Sequence, residues 1–112
     1  MVTLGKFHVG DLSSYVELDF IQTNKADVNT PQDLSSATSL LITFFDPDGN
    51  QYGPFNMTFV TDGTDGKAYY KTDPITSLWV TNGFWKWFGT LIDPNGKAST
   101  NDVIREILGN DN

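Results

Sequence analysis

The chain contains no cysteine, and basic residues are scarce. Without cysteine it forms no disulfide, no thiolate metal site and no thiol nucleophile, so packing and strand pairing must hold the fold. Lysine and arginine together number 7, against 14 aspartates and glutamates, and the net charge is -7. Because nucleic acids and anionic membranes attract clustered cations, this composition predicts neither of them as a partner.

Catalytic side chains and long hydrophobic runs are also missing. No apolar run reaches the about 18 residues of a membrane-spanning helix. His8 is the only histidine, and no serine has the G-x-S-x-G context of a nucleophile. Glu17 and Glu106 are the only glutamates, and most aspartates lie in turns, so no glycosidase carboxylate pair is indicated. The sequence therefore predicts a protein that is not an enzyme and has no cofactor.

What the chain does contain is acidic turn sequences between apolar runs. Glycine reaches positive φ at no steric cost, and an aspartate side chain bonds to the backbone two residues further on. Asp62, Gly63, Asp65 and Gly66 combine both properties. They predict a structural turn that joins a β-hairpin over residues 55–72.

A second acidic turn, Asp46-Pro47-Asp48-Gly49-Asn50, ends the strand before it. Asp48 and Gly49 are assigned as its structural turn residues. Its acidic spacing is like that of the first ligands in a calcium loop, which needs glycine at the sixth position and glutamate at the twelfth. Here glycine is fourth, and Met57 is twelfth. Turn capping is the prediction, and an irregular calcium site shared with Asp62 and Asp65 is the alternative.

Alternating apolar residues predict short strands. Residues 14–22, 38–45 and 84–92 each place bulky apolar side chains at every second position, which is the period of a strand with one buried face. Trp85 and Trp87 share one face of the last of these strands and are predicted to fill the core. Six or seven short strands separated by turns predict an all-β fold, an antiparallel β-sandwich.

The whole chain, residues 1–112, is predicted to be a single domain with a flexible lead-in at 1–6 and a flexible tail at 109–112. Phe7, His8 and Val9 suit a short edge strand, and residues 23–36 suit a loop. Residues 101–108 leave two interpretations open. Their apolar spacing fits a short helix, whereas alternation fits a closing strand.

Several aromatic side chains are candidates for a protein interface. Phe45, Phe84 and Phe88 lie opposite the predicted core face of their strands. Exposed apolar patches of this kind mark contacts with other proteins. Trp79 is a fourth candidate because its segment has no clear period. A competing hypothesis is a glycan-binding module, in which exposed tryptophans would stack on sugar rings.

The order of segments along the chain carries a resemblance to a known family. The segments are Val9-Gly10-Asp11, Val16-Glu17-Leu18, residues 33–40, Phe44-Phe45-Asp46-Pro47-Asp48-Gly49, residues 59–67 and Gly83-Phe84-Trp85-Lys86. Together they resemble small immunoglobulin-like β-sandwich structural proteins of tailed bacteriophages. They are similar to the N-terminal domain of phage upper baseplate proteins, which anchors receptor-binding appendages.

The resemblance implies a function as well as an immunoglobulin-like fold. It implies a non-enzymatic virion protein, assembled in the host cytoplasm, that binds other phage virion proteins in multiple copies of a symmetric assembly. Baseplate, tail or fibre attachment is the expected location, and capsid decoration, cement or head-fibre protein is the alternative. The loop at residues 23–33 and the chain end at residues 102–108 depart from the family pattern.

Overall fold

The computed structural model describes residues 7–23, 29–94 and 96–109, which contain eleven β-strands and no helix. In chain order the strands are β1 (Phe7–His8), β2 (Tyr15–Asp19), β3 (Ile21–Thr23), β4 (Asn29–Pro31), β5 (Ser39–Phe45), β6 (Gln51–Asn56), β7 (Thr58–Phe59), β8 (Lys67–Lys71), β9 (Gly83–Asp93), β10 (Gly96–Ser99) and β11 (Val103–Leu108). The all-β prediction is confirmed, and the strands are more numerous than the six or seven expected.

The strands form a larger sheet, a smaller sheet and a two-stranded ribbon. The larger sheet has the order β1-β11-β9-β5-β6, with β10 also on β9, and it curls into a half-barrel. The smaller sheet has the order β2-β8-β7, and β3 pairs with β4. Strand pairs are antiparallel except for β1 with β11, which run parallel. The larger sheet is therefore mixed, where the sequence predicted antiparallel pairing alone.

Side chains from both sheets meet in one hydrophobic core. Val16, Leu18 and Phe20 alternate with exposed residues along β2 and just beyond it, and each has an exposed fraction of 4% or less. Trp85 and Trp87 are buried on the facing side of β9, as predicted. The core therefore lies between the sheets, at the positions that period-two alternation indicates.

The hairpin around the Asp-Gly turn is formed, but its first strand is shorter than predicted. β7 pairs with β8, so the turn joins two antiparallel strands. The predicted strand before it divides at Met57, whose N–H donates to the carbonyl oxygen of Leu40 at 2.8 Å. β6 lies on one side of this break in the larger sheet, and β7 lies on the other side in the smaller one. One continuous apolar run thus supplies strands to both sheets.

The end of the described chain is a strand, so the helix interpretation of residues 101–108 is wrong and the strand interpretation is confirmed. β11 pairs with β9 on one side and with β1 on the other. Ile107 is fully buried, whereas Ile104 is 65% exposed. A helical face would have buried both, so pairing with a long neighbour has overridden the weak helical spacing.

Two further predictions concern the loop and the chain ends. Residues 23–36 are not entirely a loop, because Asn29–Pro31 pairs with Ile21–Thr23. The edge strand at Phe7–His8 is confirmed. The lead-in at 1–6 and all of the predicted tail except Gly109 lie outside the described residues.

Candidate functional site

The outer face of the larger sheet carries three of the four interface candidates. Phe45 and Phe88 are half-buried, and their rings stack with centroids 6.3 Å apart. Phe84 is 64% exposed. Their neighbours in sequence, Phe44 and Trp85, are fully buried on the other face. The alternation predicted for these strands is therefore confirmed.

The register with β11 adds a fourth apolar side chain to this surface. Ile104 lies directly opposite Lys86, and directly opposite residues of an antiparallel pair share a face. The Lys86 ammonium lies 5.3 Å from the centroid of the Phe45 ring. Phe45, Phe84, Phe88 and Ile104 together form what we call the outer aromatic patch. It borders the Lys86 ammonium, and Glu106 lies opposite Phe84 in the register. An exposed apolar patch of this kind marks a protein contact.

Trp79, the fourth interface candidate, does not lie at the surface. Its exposed fraction is 0%, and its indole stacks on Phe7 with centroids 5.1 Å apart and meets Trp85 edge-on at 5.2 Å. The indole N–H donates to the Ser14 hydroxyl at 3.1 Å, and the carbonyl oxygen of Trp79 accepts from Gly10 N–H at 3.0 Å. These contacts fix the irregular segment across the core, so Trp79 is a core residue.

The tryptophan platform that the glycan hypothesis requires is absent. The chain has three tryptophans, and each has an exposed fraction of 1% or less. Trp85 donates its indole N–H to the carbonyl oxygen of Thr81 at 2.8 Å. The indole N–H of Trp87 is buried without a partner in the described part of the chain. None of the three indole rings is therefore accessible for stacking on a sugar.

Asp46 organises the first acidic turn. One carboxylate oxygen, Oδ1, accepts from the backbone N–H groups of Asp48 and Asn50 at 2.9 and 2.8 Å. The other, Oδ2, accepts from the Asn50 amide and from the Tyr52 hydroxyl, both at 3.0 Å. Gly49 has a φ of +88° and donates its N–H to the Asp46 carbonyl oxygen. Turn capping is thus the role that the contacts assign.

The second acidic turn repeats this arrangement. Asp62 accepts from the hydroxyl and the N–H of Thr64, and Asp65 accepts from Lys67 N–H at 3.0 Å. Gly63 and Gly66 both have positive φ. Each aspartate is therefore used by its own turn. No group of three or more acidic or histidine side chains among the described residues is arranged to hold a metal ion.

These hydrogen bonds also change the acidity of Asp46. Burial raises its pKa, but the bonds donated by Asn50, Tyr52 and Asp48 lower it, and the net change is a lowered pKa. Burial and donation to Asp46 raise the pKa of Tyr52. The carboxylate is therefore held in its charged form by four neutral donors.

A lowered pKa makes the turn a source of pH-dependent stability. Below about pH 4, near the ordinary aspartate pKa, the unfolded chain takes up protons before folded Asp46 does. The free energy of unfolding should therefore fall as the pH drops through the folded pKa. We expect Asp46→Asn to melt at a lower temperature than the wild type at pH 7. Between pH 6 and pH 3, its melting temperature should fall less than that of the wild type.

The matched control is Asp48→Asn, which removes the same charge two residues away on an exposed side chain that accepts none of these bonds. Melting temperatures from circular dichroism across this pH range make the comparison. Identical pH dependence in Asp46→Asn and the wild type would contradict the role given to the capping carboxylate.

A cleft that the sequence did not indicate lies between the two sheets. It has a volume of about 560 Å³ and is lined by the edge strand β2 and by the connection from β10 to β11. Glu17, Asp19 and Asp102 contribute carboxylates to it. Asp102 is far from Glu17 and Asp19 in the chain, so only the tertiary fold brings it beside them.

No described helix has the length and apolar character needed to cross a membrane. Comparisons of the chain with protein-family models, with curated proteins and with solved structures find no match.

Proposed function

We propose that this chain is a non-enzymatic structural protein of a tailed-phage virion, assembled in the host cytoplasm. In this role it is a protein–protein assembly module of the baseplate, tail or fibre attachment. The resemblance of its ordered segments to phage β-sandwich proteins supplies the class. The observation that carries the mechanism is the outer aromatic patch, which leaves Phe84 and Ile104 about two-thirds exposed.

The physical basis is the burial of this patch against a neighbouring virion protein. Fully burying a large apolar side chain stabilises a complex by about 1.5–3 kcal/mol relative to leaving it exposed. In a symmetric assembly, the same contact recurs in every copy, so a modest interface suffices to retain each subunit. The stacked Phe45 and Phe88 rings are preformed, which lowers the ordering cost of binding.

The finer fold class belongs to the same proposal. An immunoglobulin-like sandwich is supported by two sheets that share one core and by antiparallel pairing in most of the ladder. Two features differ from the predicted antiparallel sandwich. They are the curl of the larger sheet and the parallel pairing of β1 with β11.

Capsid decoration, cement or head-fibre attachment is the alternative location, and it would use the same patch. Glycan binding at a host surface is a weaker alternative, because all three tryptophans are buried.

The test is to introduce Phe45→Ser with Phe88→Ser into the genome that encodes the chain. The particles encoded by the neighbouring genes are then purified, and the chain is quantified by mass spectrometry. We expect the wild-type chain in the particles and the double variant to be lost from them. The purified double variant should still melt cooperatively, because both side chains lie on the outer face.

Ile75→Ser is the matched control. Ile75 is 86% exposed and lies outside the outer aromatic patch, so this variant should be incorporated like the wild type. Phe84→Ser tests the patch at its most exposed phenylalanine, where the expected stability change is within about 0.5 kcal/mol. Absence of the wild-type chain from particles would overturn the proposal. Loss of cooperative melting in the double variant would assign Phe45 and Phe88 to the core.

A further inference from the structure

The strand β2 forms an open edge of the smaller sheet. Thr72 N–H donates to the Ser14 carbonyl oxygen, and Phe20 N–H donates to the Gly66 carbonyl oxygen, at 2.9 and 2.7 Å. The even-numbered residues of this segment therefore bond to β8. In an antiparallel ladder the intervening residues direct their N–H and C=O groups to the other side. Those groups, on Tyr15, Glu17 and Asp19, meet no strand in the described part of the chain.

The open edge faces the acidic cleft. Its volume of about 560 Å³ lies within the range of about 300–1,000 Å³ typical of binding pockets. Glu17, Asp19 and Asp102 line it, and none of the three forms an ion pair with a described residue. Lys67 stands opposite Asp19 in the ladder without reaching salt-bridge distance. Unpaired backbone groups and three carboxylates without an ion-pair partner among the described residues thus occur at one place.

Apolar side chains complete the lining. Ile21 is 56% exposed, and Leu18 and Val103 also border the cleft. A strand added to β2 would place every second side chain on the face of Glu17 and Asp19, and the others on the face of Leu18. The cleft therefore specifies cations at alternate positions and apolar residues between them.

We propose that this cleft binds an extended segment of a partner protein, with lysine or arginine at alternate positions, which adds to β2 as a further strand. This inference deepens the proposed assembly function and rests on it for the source of the partner. Strand addition supplies backbone hydrogen bonds to an open edge, and the side chains set the specificity. The net charge of -7 favours a cationic segment and disfavours nucleic acid.

The probe is an acetylated and amidated peptide of alternating lysine and valine, about seven residues long, which runs past the five residues of β2. It is titrated into ¹⁵N-labelled protein. We expect the largest amide shifts at Tyr15, Glu17 and Asp19. Glu17→Gln with Asp19→Asn should bind about fivefold more weakly, as two exposed ion pairs would give. Asp48→Asn with Glu106→Gln removes the same charge elsewhere and should bind like the wild type.

Two further peptides separate strand addition from charge attraction alone. One is methylated on the backbone nitrogens of its lysines and the other on those of its valines, with all charges kept. Whether the peptide pairs parallel or antiparallel to β2, at least one of the two methylated peptides cannot donate its backbone hydrogen bonds to β2. The proposal would be overturned if the two methylated peptides bound equally well. It would also be overturned if the variant with Glu17→Gln and Asp19→Asn bound the peptide as tightly as the wild type does.

Other occupants would give different results. Shifts at Tyr15–Asp19 that grow with protein concentration alone would assign the edge to a second copy and overturn the proposal. Shifts there on adding chito- or malto-oligosaccharides, with none from the peptide, would assign it to a glycan. If the chain bound the peptide but were absent from virions, the peptide-binding role of the cleft would stand, and only the proposed virion function would be overturned.

Discussion

Phe44→Ala should lower the free energy of unfolding by about 3–5 kcal/mol, the cost of truncating a buried aromatic. Phe44 is fully buried, and its ring lies within 5.5–6.1 Å of four others, on Phe55, Tyr70, Trp79 and Trp87. Tyr70 belongs to the smaller sheet, so this one side chain joins both sheets. Since small domains have about 5–15 kcal/mol in total, this loss is a large fraction of the stability of the protein.

Phe45→Ala is the matched control for this prediction. It makes the same chemical change one residue later, on the outer face, where the ring is half-buried. The expected loss is about 1 kcal/mol. Urea unfolding followed by tryptophan fluorescence measures both. Equal losses would mean that the two faces of β5 are not distinguished as the structure describes.

Gly89→Ala should lower the free energy of unfolding by about 2–3 kcal/mol, at the upper end for overpacking a core. A Cβ atom at this position would lie 2.5 Å from Phe20 Cζ and 3.0 Å from Leu18 Cδ1. Both neighbours are buried in the smaller-sheet side of the core and have little room to move. The backbone of β9 therefore approaches the smaller-sheet side of the core closely at Gly89.

Gly109→Ala is the control for this substitution. Its nearest neighbour, Asn82, would lie 4.0 Å from the added Cβ, so the stability change should be within about 0.5 kcal/mol. Thermal melts compare the stability of the two variants with that of the wild type. A stabilised Gly89→Ala protein, as expected where Gly→Ala merely restricts the unfolded chain, would contradict the close contact.

Some of this architecture could be predicted because side chains alternate across a strand. That Phe44 and Phe45 lie on opposite faces of β5 follows from that rule. The burial of Trp79 could not be predicted, because its irregular segment has no period. Its position depends on contacts with Ser14 and Gly10, more than 60 residues earlier.

The remaining differences have the same physical origin. Residues 103–108 carry two compatible periods, and the choice between them was made by pairing with β9. The three phenylalanines of the outer aromatic patch were indicated by apolar residues on both faces of β5 and β9, whereas Ile104 joins them only through the pairing of β11 with β9. The cleft was not indicated at all, because Glu17 and Asp102 come together only when the two sheets close over the core.

The parallel pairing of β1 with β11 has a mechanical consequence. Phe7 lies beside Ile107 and His8 beside Leu108, and Val9 N–H donates to the Leu108 carbonyl oxygen at 2.9 Å. Tension that pulls residue 7 backward and residue 109 forward would act along these two strands in opposite directions. The hydrogen bonds between them would then be loaded together in shear and would have to break at once. A chain under load at both ends would thus resist extension at this pair of strands.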